Sequence, residues 1–254
     1  MRTTRIYVDL ELSVGQQLLL PTAPSAHLLR VLRLRPGAAL TLFNGRGGEY
    51  AASLGSADKT GARVSVDAHA AVERESALQL TLLQGVARGA RMDFIVQKAT
   101  ELGVQRIVPL VCEFSVVRLD AAELQRRTSH WRAVAIAACE QCGRNRLPLL
   151  EPSGDFAAAC NGAGGAGGAG GAGGAGELRL MLLPQAPDTL AALTAGLRSA
   201  TLLIGPEGGL SNPEQLLAQR SGFRACRLGP RILRAETAPL AALAILQAMA
   251  GDLA

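Results

Sequence analysis

Short apolar runs separated by turn residues set the rhythm of the first seventy-odd positions. Arg5–Asp9 and Gln17–Leu20 read as strands, and Ser25–Leu34 reads as a short apolar helix stopped before Pro36-Gly37. Ala39–Phe43 follows, then a turn at Asn44-Gly45, a run near Glu49–Ser53 and another at Arg63–Asp67. Strands of about five residues at this spacing predict a small β-barrel over residues 1–74.

From about residue 75 the pattern changes. Leu78–Val86 is continuously apolar enough for a buried strand, and Met92–Leu102 is amphipathic at helical period, with Gly103 as its stop. Arg106–Val111 is another strand, and Ala121–Cys142 a long helix carrying Trp131. Leu178–Leu183, Thr201–Ile204 and Ala225–Leu228 are apolar strands, with helices near Asp188–Leu197, Pro213–Arg220 and Thr237–Met249. Strands alternating with helices predict an α/β domain over 75–254, built on a mostly parallel sheet covered on both faces. One stretch breaks the pattern: 162–176 is a Gly/Ala-rich run with almost no side chain to bury, and it reads as a disordered insertion.

Composition narrows the class. The chain has 254 residues, 48% hydrophobic and 19% charged, enough to bury a core. No apolar run approaches the roughly 20 residues of a membrane span, and the N-terminus lacks a signal-peptide pattern, so the expected compartment is cytoplasmic. Five scattered cysteines include Cys139-Glu-Gln-Cys142, but no second ligand pair stands at zinc spacing, so no metal is expected. The net charge of +5 is uneven: residues 12–48 hold four arginines and no acid, and residues 215–235 hold five arginines and no acid. Arginine forks fit phosphate, so two acid-free basic stretches point to a polyanion.

The densest chemistry lies in two Gly-Pro turns that follow strands. In Ile204-Gly205-Pro206-Glu207-Gly208-Gly209-Leu210-Ser211 the glycines let a ligand approach the backbone, and Ser211 can cap the helix that Pro213 opens. No lysine follows and no dinucleotide fingerprint is present, so the turn is not a phosphate loop. In Leu228-Gly229-Pro230-Arg231-Ile232-Leu233-Arg234-Ala235-Glu236-Thr237 two arginines, a carboxylate and a hydroxyl precede an apolar helix. Glu236 and Thr237 can serve a site there or simply cap that helix. Two such loops at strand ends would wall a crevice of the kind open α/β sheets use for ligands.

These two loops resemble those of the ribosomal RNA small subunit methyltransferase E family, which methylates N3 of uridine in 16S ribosomal RNA. The resemblance continues through Arg91-Met92-Asp93-Phe94-Ile95-Val96-Gln97-Lys98-Ala99-Thr100-Glu101-Leu102-Gly103-Val104 and Ala137-Ala138-Cys139-Glu140-Gln141-Cys142-Gly143-Arg144-Asn145-Arg146. It includes Arg30-Val31-Leu32-Arg33 and Asn44-Gly45, so it spans the chain apart from the Gly/Ala run. It implies a SPOUT-type α/β domain with a C-terminal deep trefoil knot, a PUA-like RNA-binding barrel before it, a homodimer, and S-adenosylmethionine as cofactor. One departure is Arg88, where the family commonly has lysine; arginine keeps a cation but cannot move a proton.

Carried onto this chain, the resemblance assigns the cofactor to Leu183-Pro184, to Gly205, Pro206, Glu207, Gly208 and Gly209, and to Leu228, Gly229, Ile232 and Leu233. Methylation at N3 needs a proton acceptor and donors that steady charge on the ring oxygens. Glu236 is the acceptor expected here, with Glu140 and Glu101 as competitors, and Arg231 or Arg234 as the clamp. RNA contacts are expected at Arg30, Arg33, Arg35, Asn44, Arg88, Lys98, Glu101, Glu140, Arg144 and Arg146, with 16S ribosomal RNA in the 30S subunit as partner. Rival readings are a knotted enzyme acting on a ribose 2′-oxygen, an RNA-binding assembly factor without catalysis, and a nucleotide-binding oxidoreductase.

Overall fold

A computed structural model describes residues 3–58, 61–117, 119–162, 177–193 and 197–253. They form two compact units, Met1–Glu75 with Ile136–Leu147, and Ser76–Ala135 with Pro148–Ala254.

The first unit is built on a five-stranded sheet: β1 (Thr4–Tyr7), β2 (Gln17–Leu19), β3 (Ala39–Phe43), β4 (Glu49–Asp58) and β5 (Gly61–Ala70), in the order β1-β3-β4-β5-β2. β1 runs parallel to β3 and the other pairs are antiparallel. Period-two burial holds: Leu40 and Leu42, Ala52 and Leu54, Val64 and Val66 all point inward with Ile6, Val8 and Leu28. β4 and β5 are twice the expected length, ten residues each, because bulges at Ala51/Ala52 and Leu54/Ala57 let the ladder continue past Ser53. The expected helix at Ser25–Leu34 is instead α1 (Thr22–Ala26) running into a π-helical turn, His27–Val31, where the Leu32 N–H reaches the His27 carbonyl.

The second unit carries a six-stranded, all-parallel sheet. Its strands are β6 (Gln79–Gly85), β7 (Arg106–Leu110), β8 (Leu149–Leu150), β9 (Glu177–Leu182), β10 (Ser199–Ile204) and β11 (Arg224–Cys226), ordered β11-β9-β10-β6-β7-β8. α2 (Ala90–Glu101) and α6 (Thr237–Ala250) pack with β6 and β10 in one core that includes Leu82, Ile95, Val96, Leu202 and Leu243. α4 (Phe156–Asn161) and α5 (Asn212–Arg220) cover the other face, around Leu83, Val108, Met181 and Leu203. Burial on both faces explains why these strands read as unbroken apolar runs.

α3 (Ala121–Cys142) has its expected bounds, but its residues to Ala135 belong to the second unit and those from Ile136 to the first. β8 and α4 are too short for a periodic signal. Asp188–Leu197 holds a single 3-10 turn at Leu190–Leu193, and 194–196 lie outside the described residues. The expected disordered insertion likewise lies, but for Gly162, outside them. Among the described residues no helix is long and apolar enough to cross a membrane, and no group of three or more His, Cys, Asp or Glu could hold a metal.

Candidate active site

The C-terminal ends of β9, β10 and β11 lie side by side, because Leu182 pairs with Cys226 and Met181 with Leu203 in the parallel ladders. The loops that leave them enclose a crevice of about 390 Å³ in the second unit. The Leu183 N–H donates to the Cys226 carbonyl, and Arg227 exchanges backbone hydrogen bonds with Asp188 and Leu190, so the chain after β9 is stitched to the chain after β11. The Arg227 side chain, itself on the crevice wall, reinforces this by donating to the carbonyls of Ala186 and Pro187.

Glycine is dictated by space here. At Gly85, which ends β6, a Cβ would stand 2.4 Å from the Pro206 nitrogen, so the Gly205-Pro206 turn fits only against a bare backbone. Gly209 closes that turn at φ +75, donating its N–H to the Pro206 carbonyl at 2.8 Å. Beside Gly209 and Gly229 a Cβ would meet nothing within 4 Å, which leaves open space for a ligand to approach the main chain. Ser211 then caps α5 in a capping box with Glu214, as its position after the glycines predicts.

The crevice gathers Leu183, Pro184, Gly205, Pro206, Glu207 and Gly209 with Leu228, Gly229, Ile232 and Leu233, and also Arg231, Arg234 and Glu236. Of the expected cofactor residues only Gly208 lies off its lining, where a Cβ would sit 2.7 Å from that of Phe114. Ile232 is 79% exposed, an apolar side chain held at the rim. Cys226 lies on the wall, and burial pushes its thiol up to about 12, so it stays protonated at neutral pH.

Charge is arranged in a chain. One oxygen of Glu207 accepts from the Arg88 N–H at 3.0 Å and from the Arg91 guanidinium at 2.8 Å. The other side of Arg91 lies 3.7 Å from Glu236. Partial burial works to raise the Glu207 carboxyl, but the Arg88 N–H, its own N–H and Arg91 together outweigh it and hold the group below the usual range. Glu236 occupies the N-cap position of α6 yet makes no cap hydrogen bond, so its carboxylate is not consumed by the helix. Sequence reasoning missed Arg91 and Arg227 as site residues. Arg91 opens one of the family-like motifs, but only the fold shows that it meets the β10 loop.

A model of an RNA methyltransferase domain matches residues 74–247, and one of an RNA methyltransferase PUA domain matches 25–67. A Bacillus subtilis protein named ribosomal RNA small subunit methyltransferase E is 30% identical over 231 residues, 87% of this chain and 85% of the relative. A ribosomal RNA small subunit methyltransferase E of Neisseria gonorrhoeae, solved with S-adenosyl methionine, superposes with a TM-score of 0.86 at 35% identity, covering all of both chains. This chain belongs to the ribosomal RNA small subunit methyltransferase E family. A Legionella pneumophila protein solved with its bound cofactor SAM is also similar, at TM-score 0.91 and 37% identity over all of both chains.

The other residues expected to serve this family's RNA chemistry divide by environment. Arg30, Arg33 and Arg35 are exposed on the turn after α1, and Arg33 holds the left-handed conformation at φ +52. Arg88 is exposed beside the crevice loop. On α2, Lys98 and Glu101 pair with each other at 2.8 Å, outside the crevice lining. Asn44 is buried: its amide donates to the Leu10 carbonyl and its oxygen accepts from the Arg46 N–H, an Asx turn. Glu140 is largely buried and accepts from the Tyr7 N–H at 3.0 Å. Arg144 is inside the first unit, its guanidinium bonded twice to Glu75 at 3.0 and 2.6 Å. The polar ends of these three side chains are engaged within the first unit. Arg146 is half-exposed, 3.5 Å from Glu73. The Cys139 thiol, also pushed to about 12 by burial, is unsuited to the redox chemistry a CxxC spacing suggests.

Proposed function

We propose that this chain is an S-adenosylmethionine-dependent methyltransferase that modifies N3 of a uridine in 16S ribosomal RNA of the small subunit. The observation that carries this reading is the crevice over three parallel strand ends, with bare glycine backbone at Gly209 and Gly229, apolar walls and an unconsumed carboxylate. The residues present fit the cofactor. Leu183, Leu228, Ile232 and Leu233 offer an apolar slot for the adenine ring, and the Gly205–Gly209 turn offers main-chain groups that no side chain covers. Bound there, the cofactor supplies an electrophilic sulfonium methyl.

The chain's own residues supply the rest. Glu236 takes the N3 proton, which makes the uracil nitrogen the nucleophile for the methyl that the cofactor would release from its sulfur. Arg231 or Arg234, both exposed on the crevice wall, donates to the ring oxygens where negative charge grows. The match to an RNA methyltransferase domain supports the C-terminal trefoil knot that the family resemblance implies, and the match to a PUA domain with the sheet of the first unit supports a PUA-like barrel that holds RNA. The homodimer that the family resemblance implies belongs to the same reading. A ribosome-modifying role supports a cytoplasmic location.

The test is methyl transfer from labelled S-adenosylmethionine to 30S subunits lacking their native modifications, followed by nucleoside mass analysis. The expected product is 3-methyluridine; a 2′-O-methyl nucleoside moves the target, and no product with no cofactor binding overturns the enzyme reading. Replacing Arg30, Arg33 and Arg35 by glutamine should weaken RNA binding and flatten its salt dependence, by about 0.7 log units for each phosphate that is no longer neutralised. An unchanged slope removes them from the RNA face.

A further inference from the structure

We infer that Arg91 is a positioning residue for methyl transfer, holding the Glu236 carboxylate at the crevice wall from a fixed anchor on Glu207. The inference rests on the reading of Glu236 as proton acceptor. Arg91 stands in the first turn of α2, just past Gly89, whose φ of +61 sets the start of the helix. Its anchor is independently fixed, because Glu207 also accepts the Arg88 backbone N–H at 3.0 Å. From that anchor Nη1 of Arg91 bonds Glu207 at 2.8 Å, while its Nε faces Glu236 at 3.7 Å.

The two halves of this bridge differ in kind. The Glu207 half is a charge-assisted hydrogen bond; the Glu236 half is an ion pair without one, leaving the Glu236 oxygens able to accept from elsewhere. A general base must stand within hydrogen-bond reach of the proton it takes, and a glutamate side chain with no cap and no hydrogen bond is otherwise free to rotate. Other charged groups on the crevice wall are Glu207, Arg227, Arg231 and Arg234, and Arg227 is occupied by the carbonyls of Ala186 and Pro187. Further along α2, Asp93 pairs with His130 and Lys98 with Glu101. Among the described residues Arg91 is therefore the ion-pair partner that holds Glu236. Its fork reaches two carboxylates at once, a geometry a lysine reproduces only in part.

Single-turnover transfer to the undermodified 30S subunits, with S-adenosylmethionine affinity measured by calorimetry, tests the assignment. R91Q should slow transfer about 10²-fold, the scale of a misplaced catalytic group. Its cofactor affinity should stay within about threefold of wild type, R91K should recover part of the rate, and E207Q should slow it less than R91Q does. The R91Q/E236Q pair should be no slower than E236Q alone, since both act through one carboxylate. A wild-type rate in R91Q beside a slow E236Q overturns the role of Arg91 alone. Equal loss of rate and cofactor affinity in R91Q makes it a cofactor contact and overturns the inference, as does an additive loss in the double variant. A wild-type rate in E236Q removes the acceptor reading and this inference with it.

Discussion

Two regions of the chain carry a similar sequence signal, glycines and charged residues packed into recognisable motifs, and use it in opposite ways. The loops Gly205–Gly209 and Gly229–Glu236 keep their polar groups around open space. The segment Gly143–Asn145 spends its polar groups inward, while Arg146 beside it stays half-exposed. Arg5 donates to the carbonyls of Gly143 and Arg144 and to the Asn145 side chain, Arg74 donates to Gly143, Asn145 donates to Val72, and Arg144 pairs with Glu75. The second arrangement satisfies buried groups within the first unit. The first tolerates an uncapped carboxylate and bare backbone, which cost stability and supply chemistry.

Replacing Arg144 sharpens the contrast most. Its side chain is 5% exposed and that of Glu75 15%, so R144M strands a carboxylate in a largely buried site. That should cost about 3 kcal/mol of stability, and R144M/E75Q should regain part of it. Denaturant unfolding measures both, and cofactor affinity at the crevice should be unchanged in the folded fraction. If R144M unfolds like wild type while RNA binding falls, the inward reading of this segment is wrong.

Next in size is G85A. A Cβ there meets the Pro206 backbone at 2.4 Å, which cannot swing away as a side chain would. The strain should cost about 2 kcal/mol and appear both as a lower melting temperature and as weaker cofactor binding. Gly154, whose Cβ would meet nothing within 4 Å, is the control: G154A should stay within about 0.5 kcal/mol of wild type. Equal behaviour of the two variants would mean that the close approach at Gly85 does not shape the crevice.

The same contrast explains what could be read from the chain itself. Ala39–Phe43 and Ala121–Cys142 announce their type and bounds through local periodicity, and the two Gly-Pro loops announce themselves through turn chemistry. Nothing local separates Arg144 from Arg146, near neighbours in one motif: the first is buried because Glu75, 69 residues earlier, lies opposite it. Nor does sequence show that α3 changes units at Ile136, since its helical period continues unbroken. Arg91 is illegible for the same reason, because its meaning depends on Glu207, 116 residues later. Local rules locate the ligand-ready loops; long-range pairing decides which charges remain available to them.

The smallest effect separates the two regions by sign. Burial is the leading influence on Glu140 and raises its carboxyl above the ordinary 4.5, against the Tyr7 N–H, His27 and Arg5, which lower it. Glu207 ends below 4.5, because hydrogen bonds and Arg91 outweigh its burial. A carboxyl raised on folding contributes its stability below the ordinary value and loses it as pH rises through the folded value; a lowered one contributes above the ordinary value and loses it as pH falls through the folded value. E140Q keeps an acceptor for Tyr7 and should melt above wild type near about pH 7, the gap closing as the solution is acidified to about pH 4. E207Q should melt slightly below wild type near about pH 7, and its gap should also close in acid, from the opposite side. Melting curves across that range decide the matter: two gaps of the same sign would mean that the inward-turned carboxylate and the crevice carboxylate are held by the same forces.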